Sequence, residues 1–220
     1  MAQQLLTRYG VVFRETAHAE GLPGGFSAVY DVLKAMEESG KVRRGYFVAE
    51  LGATQFAQPA AVELLRSLKS ERAGSAREMV MLAATDPANP YGALLKWPEV
   101  EASGLSTEAR GALTRSVGAR VVLCDGSLGM YMRRGNANVQ VFLPEDEPER
   151  SHVARALAEF LVARVRADRD ESADLRTGLV IATVNGVRVG ESAMAKPLLE
   201  AGFAVGAMGF YVRRSGSILA

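Results

Sequence analysis

A chain of 220 residues, 48% of them hydrophobic, is long enough to bury one large core or two small ones without covalent staples. Its 26 Lys and Arg stand against 25 Asp and Glu, so a net charge of +1 argues neither for nor against an anionic partner, and the distribution of charge has to decide. One cysteine, Cys124, excludes an internal disulfide; the absence of an N-terminal apolar core and of any window near 18 apolar residues predicts a cytoplasmic protein, neither secreted nor membrane-spanning.

In chain order, VVFR (11–14) reads as a short β segment, ETAHAE (15–20) as a short helix and GLPGG (21–25) as a turn. Phe26, Val29, Leu33 and Met36 then fall on one stripe of a helix that Ser39-Gly40 closes. KVRRGYFVAELGATQFA (41–57) is β-prone and punctuated by Gly45 and Gly52, a glycine-interrupted hairpin. Strand, helix, turn, helix and hairpin is the order of a winged helix-turn-helix, with 25–39 as its recognition helix and the hairpin as its wing. PAAVELLRSLKS (59–70) starts on proline and predicts a trailing helix with Val62, Leu65 and Leu68 as its buried face.

ERAGSAR (71–77) reads as a linker, which sets a first domain at 1–72 and a second at 73–220. The second shows strands at 78–84, 119–125, 128–134 and 138–143, with Asp125-Gly126 as a hairpin turn and Gly135-Asn136 as the next. Sequential antiparallel strands predict a curled, barrel-like sheet. A helix at 149–167 buries Val153, Leu157, Phe160, Leu161 and Val165, and ADRDESAD (167–174) is an acidic loop. A strand with a turn at Asn185-Gly186, a helix near 192–201 and a last strand, GFYVRR, complete an α+β chain: a winged helix followed by an antiparallel β-barrel-like domain with flanking helices.

Four stretches, LLTRYGVVFRETAHAEGLPGGFSAVYDVLKAMEESGKVRRGYFV, LGATQFA, AATDPANPYGALLKWP and VVLCDGSLGMYMRRG, give the chain a specific likeness over most of residues 5–135. It resembles the C-terminal, non-motor region of Lhr-type (large helicase-related) superfamily 2 helicases of the DEAD/DEAH-box kind. The resemblance implies a DNA-repair helicase whose motor domains, with their ATP and Mg²⁺, are partners of this region. No G-x-x-x-x-G-K-[ST] loop and no Asp-Glu-x-His box occur here, so no cofactor is expected in this segment. Met1–Gly10 would be the tail of a first helix, and the winged-helix domain is expected to be N-terminally truncated, as in a fragment or a split gene. The chain is then a nucleic-acid-binding accessory module that packs on other helicase domains, for single-stranded or duplex DNA with RNA as an alternative, and it could form oligomers. The same region is similar to winged-helix DNA glycosylases, which leaves a glycosylase-like repair domain and a purely structural module as alternatives.

Arginine pairs close three strand-like runs, at Arg43-Arg44, Arg133-Arg134 and Arg213-Arg214, where a loop can hold two guanidiniums toward phosphates. Candidate nucleic-acid contacts are Lys41, Arg43, Arg44 and Tyr46 at the wing, Tyr30 and Lys34 on the recognition helix, Trp97, and Arg133 and Arg134. Asp31, Glu37 and Glu38 oppose phosphate on the recognition helix. Gln55 and Gln58 lie three apart, unlike the Gln-x-Gln pair of the glycosylases, and Gln55 reads as a surface or interface hydrogen-bonding residue of the wing. No catalytic residue and no metal site are assigned, since His18 and His152 are isolated, and Asp125 reads as a turn residue. In AATDPANPYG (83–92), Asp86, Asn89 and Tyr91 are candidates for loop architecture, Asp86 and Asn89 as turn caps between two stiffening prolines.

Overall fold

The structure is a computed structural model that describes residues 1–49, 51–71, 77–99, 112–167 and 178–214. The expected linker (71–77) and acidic loop (167–174) lie largely outside the described residues. The chain divides into two compact units, residues 1–76 with 93–95, and residues 77–92 with 96–220.

The first unit runs α1 (Ala2–Tyr9), β1 (Val11–Val12), α2 (Arg14–Ala19), α3 (Ser27–Glu38), β2 (Arg43–Gly45), β3 (Gln55–Ala57) and α4 (Pro59–Glu71). β3 lies between β1 and β2 and is antiparallel to both. In that register Val12, Phe56 and Arg44 stand in one cross-strand row and Val11, Ala57 and Arg43 in the next, on the opposite face. Val12 and Phe56 pack with Leu5 and Leu6 of α1 and Val29 and Leu33 of α3, while Val11 and Ala57 pack with Phe13 and Val62. The helix, strand, helix, helix, strand, strand order is that of a winged helix.

Only Val62 of the expected buried face of α4 is covered; Leu65 and Leu68 are 44% and 43% exposed, with Leu64 exposed beside them. The reason is length. A two-residue β1 offers about 7 Å of sheet, whereas a 13-residue helix runs about 20 Å. The sheet therefore covers the first turn of α4 and no more.

Glu20, just past α2, ties back to α1: its carboxylate accepts from Arg8 Nη1 at 2.5 Å and from Tyr9 Oη at 2.5 Å. These two donors, the Tyr9 hydroxyl foremost, hold the Glu20 carboxyl below the ordinary glutamate value of 4.5. A carboxyl whose pKa falls on folding stabilises the fold above its unfolded value and loses that contribution as the pH drops through the folded one. The urea midpoint of the first unit is thus expected to fall on acidification through this range, and Glu20→Gln to flatten the dependence. An unchanged slope in the variant would remove Glu20 from the linkage.

The second unit builds a six-stranded sheet of order β10-β9-β7-β6-β5-β4, from β4 (Met79–Ala83), β5 (Arg120–Cys124), β6 (Ser127–Met132), β7 (Asn138–Val141), β9 (Thr183–Val184) and β10 (Val187–Arg188). All pairs are antiparallel except β7 with β9. A three-stranded sheet of order β11-β12-β8 joins β8 (Gly178–Ile181), β11 (Ala204–Gly206) and β12 (Gly209–Arg213). The helices are α5 (Glu149–Arg166) and α6 (Ala195–Ala201).

Among the described residues no sheet closes on itself, so the barrel-like expectation reduces to two open sheets. Helix α5 covers one face of the larger sheet instead. Val122, Cys124, Met130, Met132, Val139 and Val141 form one core with Val153, Leu157, Leu161 and Val165 of α5. On the other face Val121, Leu123, Leu128 and Tyr131 form a second core. The register shifts between Val122 and Leu123, so Leu128 and Tyr131 share a face although they are three apart. The extra residue is Gly129, where a Cβ would stand 3.1 Å from Leu157 Cδ2 of α5.

Both two-residue turns fall where the sequence places them, with positive φ at Asp125 and Gly126 and at Asn185 and Gly186. The strand expected within 175–189, ahead of the Asn185-Gly186 turn, is split. β8 pairs with β12, and after Ala182 the chain crosses to pair β9 with β7. Asn185 seals that crossing: its amide accepts from Val141 N–H and donates to Val141 O, both at 2.8 Å, which continues the ladder with a side chain. Asp125 also exceeds its expected turn role, since its carboxylate accepts from Glu78 N–H and from Arg77, whose other nitrogen reaches Glu149 at 2.5 Å.

Candidate nucleic-acid interface

Lys41, Arg43, Arg44 and Tyr46 are all exposed along β2 and the start of the wing, Tyr46 at 62%. Strand alternation separates the arginine pair. Arg44 lies over the Phe56 ring, 6.0 Å from its centroid, on the face of α1 and α3, and Arg43 stands opposite Ala57 on the other face. The two guanidiniums therefore straddle the sheet edge and do not make one two-pronged grip.

The wing is held by a residue that the sequence places at the surface or an interface. Gln55 is fully buried (0% exposed); Oε1 accepts from Phe47 and Val48 N–H, each at 2.8 Å, and Nε2 donates to Val48 O at 2.9 Å and Gly52 O at 3.1 Å. A primary amide offers two donor hydrogens and two acceptor lone pairs, and all four are used. Gln55 does bond as expected, but from inside the unit and not from a surface or interface, because the wing folds back and brings its own backbone to the side chain. An amide committed in this way cannot position water for base excision.

On α3, Ser27 and Lys34 are exposed, but Tyr30 is half-buried, its ring edge-on to Phe26 and to Phe56 at 6.0 Å each. Its ring belongs to the core and not to an exposed line. Asp31 and Glu38 are exposed on the same helix and oppose a polyanion there. His18 and Arg14 line a hollow at the α2–α3 turn with Gly21, Gly24 and Gly25.

In the second unit Trp97 is half-buried, stacked on Tyr91 at 6.4 Å and edge-on to Tyr131 at 5.5 Å. Its indole lies so close over Gly92 that a Cβ there would fall 2.4 Å from Nε1. These contacts engage the ring inside the unit.

The neighbouring loop is organised by its polar groups. Asp86 Oδ1 accepts from Ala88 N–H at 2.8 Å, buried Asn89 donates to Ala84 O at 2.9 Å and accepts from Tyr91 N–H at 3.1 Å, and Tyr91 Oη accepts from Leu128 N–H at 3.1 Å. Arg115, which nothing in the sequence singles out, donates to four carbonyls of the same loop, those of Thr85, Asp86, Asn89 and Tyr91. The Tyr131 hydroxyl donates to Thr114 O at 3.0 Å.

Arg133 donates to Ala112 O, and the Arg134 stem lies over Gly118, where a Cβ would stand 2.7 Å from Arg134 Cδ. Arg213 lies 5.2 Å from the Tyr211 ring centroid. Among the described residues no three His, Cys, Asp or Glu side chains converge as metal ligands would, and no helix is long and apolar enough to cross a membrane.

A family model for the winged-helix domain of large helicase-related proteins matches residues 1–77. The chain is 40% identical over 190 residues, 86% of its length, to a Mycolicibacterium smegmatis protein described as "Lhr helicase/ probable uracil glycosylase". It is 34% identical over 204 residues, 92% of its length, to an Escherichia coli protein described as "Lhr helicase/uracil glycosylase". These alignments cover 11% and 12% of the two relatives, so the chain spans about a tenth of the length of the curated relatives it matches. Because both alignments run over most of the chain, the kinship extends beyond the winged-helix unit, and the chain belongs to the large helicase-related (Lhr) family.

Proposed function

We propose that this chain is the nucleic-acid-binding accessory region of an ATP-dependent Lhr-type DNA repair helicase, gripping sugar-phosphate backbone along the β2 edge and wing of its first unit. One observation carries the reading: Lys41, Arg43, Arg44 and Tyr46 are exposed together on a wing that Gln55 fixes in place. Cations alone would bind without orientation. A wing locked to its strand fixes where these cations stand about the β2 edge, with the exposed Tyr46 beside them. DNA, single-stranded or duplex, is the ligand, and the motor domains of a cytoplasmic helicase are the partners.

The residues of this chain do not fit ATP or Mg²⁺. Its glycine-rich turn, GLPGG, joins α2 to α3 with Gly21, Gly24 and Gly25 at positive φ, and no Gly-Lys-Ser/Thr run follows to meet phosphates. Nucleotide chemistry belongs to the motor.

Fluorescence anisotropy with labelled single-stranded and duplex DNA across a salt series tests the reading. Arg43→Ala/Arg44→Ala is expected to weaken binding by roughly tenfold at low salt and to lower the salt slope by about 1.4 to 1.8. Absence of salt-dependent binding in the unaltered protein would leave a structural or oligomerising module.

Both relatives' names also favour base excision as a second reading. Gln55 cannot serve it, so the reaction would need other residues. Alkali-labile breaks in uracil-containing DNA after incubation with this chain support that reading, and intact strands count against it.

A further inference from the structure

We propose that the second unit carries its own binding groove for single-stranded nucleic acid, formed by the start of β5, the β6–β7 turn, β8 and the β11–β12 turn. The groove, about 300 Å³, is lined by Arg120, Arg133, Arg134 and Asn136 together with the apolar Leu179 and Met208. None of the groove's lining residues is a carboxylate. A second hollow in the same unit sets Glu99, Glu145 and Glu191 against Arg150, a lining that repels phosphate, and so marks the charge of this groove as local.

The arginines are placed before any ligand arrives. Arg133 is fixed by the Ala112 carbonyl, the Arg134 stem is laid over Gly118, and Arg120 reaches the Met81 sulfur at 3.7 Å. The Ala112 carbonyl and the Tyr131 hydroxyl engage part of the Arg133 guanidinium, which carries five donor hydrogens. Met208, in the same lining, is exposed, and a flexible apolar side chain there suits the face of an unpaired base or sugar. A lining that combines cations with apolar side chains fits a chain that offers both phosphates and unstacked bases. A duplex hides its bases and leaves those apolar side chains unused.

The proposal takes its class of ligand from the nucleic-acid reading above but stands on different residues in the other unit. Its test uses the full chain with labelled oligo-dT, oligo-rU and duplex DNA. Arg120→Ala/Arg133→Ala is expected to weaken single-strand binding about tenfold and to lower its salt slope by about 1.4, with little change on duplex. Asn136→Asp keeps the side-chain oxygen that accepts from Asn138 N–H and adds one negative charge inside the groove. It should weaken single-strand binding severalfold without unfolding the protein. Val205→Glu, an equal charge change at a 68% exposed residue outside the groove, should not. A loss on dT or rU alone also supports the groove and names its sugar. Equal effects of Asn136→Asp and Val205→Glu, or equal losses on strand and duplex, overturn it. If Arg43→Ala/Arg44→Ala leaves binding intact while the groove variants remove it, the wing reading fails and the groove stands; the reverse result overturns the groove.

Discussion

Gln55→Leu is expected to destabilise the first unit by about 3 to 4 kcal/mol, because a side chain of similar bulk strands four backbone groups that now have partners. Phe47 N–H, Val48 N–H, Val48 O and Gly52 O all bond the Gln55 amide. A buried polar group left unpaired costs about 1 to 3 kcal/mol, and the sum is discounted here because Phe47 and Val48 are only half-buried and can regain water. Hydrogen exchange of the Phe47 and Val48 amides, followed with a urea titration, reads the effect directly. Both amides should lose protection, and wing-dependent DNA binding should fall with them. Gln55→Glu keeps the acceptor oxygens but turns a carboxylate toward two carbonyls, so acidification should restore part of its stability, as it cannot for leucine. Protected amides and an unchanged midpoint in Gln55→Leu would show that the wing does not depend on this residue.

The sequence pattern makes the winged helix legible because its signals are local. Phe26, Val29, Leu33 and Met36 repeat at helical spacing, and Val29 and Leu33 are buried on the expected side. Asp125-Gly126 and Asn185-Gly186 name their own backbone conformations, and α5 buries Val153, Leu157, Leu161 and Val165 as its periodicity requires. What stays hidden is decided by distant chain. Gln55 looks like a surface residue of a short strand until the segment 47–52 returns to it. Leu65 and Leu68 follow the helical period faithfully, yet no sheet extends far enough to meet them. The stretch ahead of the Asn185-Gly186 turn reads as one strand, and only β12 on one side and β7 on the other reveal the break at Ala182. Four antiparallel-looking strands suggest a barrel, but the parallel β7–β9 pair and the mass of α5 on one face make an open sheet sufficient.

The arginine pairs carry the same lesson toward function. Adjacent residues on a strand leave by opposite faces, so Arg43 and Arg44 straddle a sheet edge, whereas Arg133 and Arg134 sit in a turn and converge on one groove. Doublets that look alike in sequence thus differ in what they can hold. Arg120, the third cation of that groove, lies far from the doublet in sequence and beside it in register, opposite Met132 on β6.

Arg115→Ala is expected to cost the second unit about 2 to 3 kcal/mol, since one guanidinium closes the 83–92 loop by donating to four of its carbonyls. Nη1 reaches Asn89 O at 2.7 Å and Tyr91 O at 3.1 Å, and Nη2 reaches Thr85 O at 3.2 Å and Asp86 O at 3.1 Å. Carbonyls gathered toward one centre repel each other unless a cation sits among them, and the partly buried setting weakens the competition from water. Arg115→Lys retains the charge but not the fork, and a single ammonium cannot meet four oxygens in a plane, so it should recover less than half of the loss. Trp97 is the natural probe, being the sole tryptophan and stacked on Tyr91 at the loop's end. Its emission should shift to the red in Arg115→Ala, and its urea midpoint should fall. If lysine restores full stability, charge alone accounts for Arg115. If neither variant changes the midpoint, the loop is held by Asn89 and Asp86 without it. Either way the polar groups of this loop are spent on its own backbone: Asp86 on Ala88 N–H, Asn89 on Ala84 and Tyr91, and Tyr91 on Leu128. The Asn89 amide is thereby held against the loop's own backbone, and the loop ends on the Tyr91 ring that Trp97 stacks on.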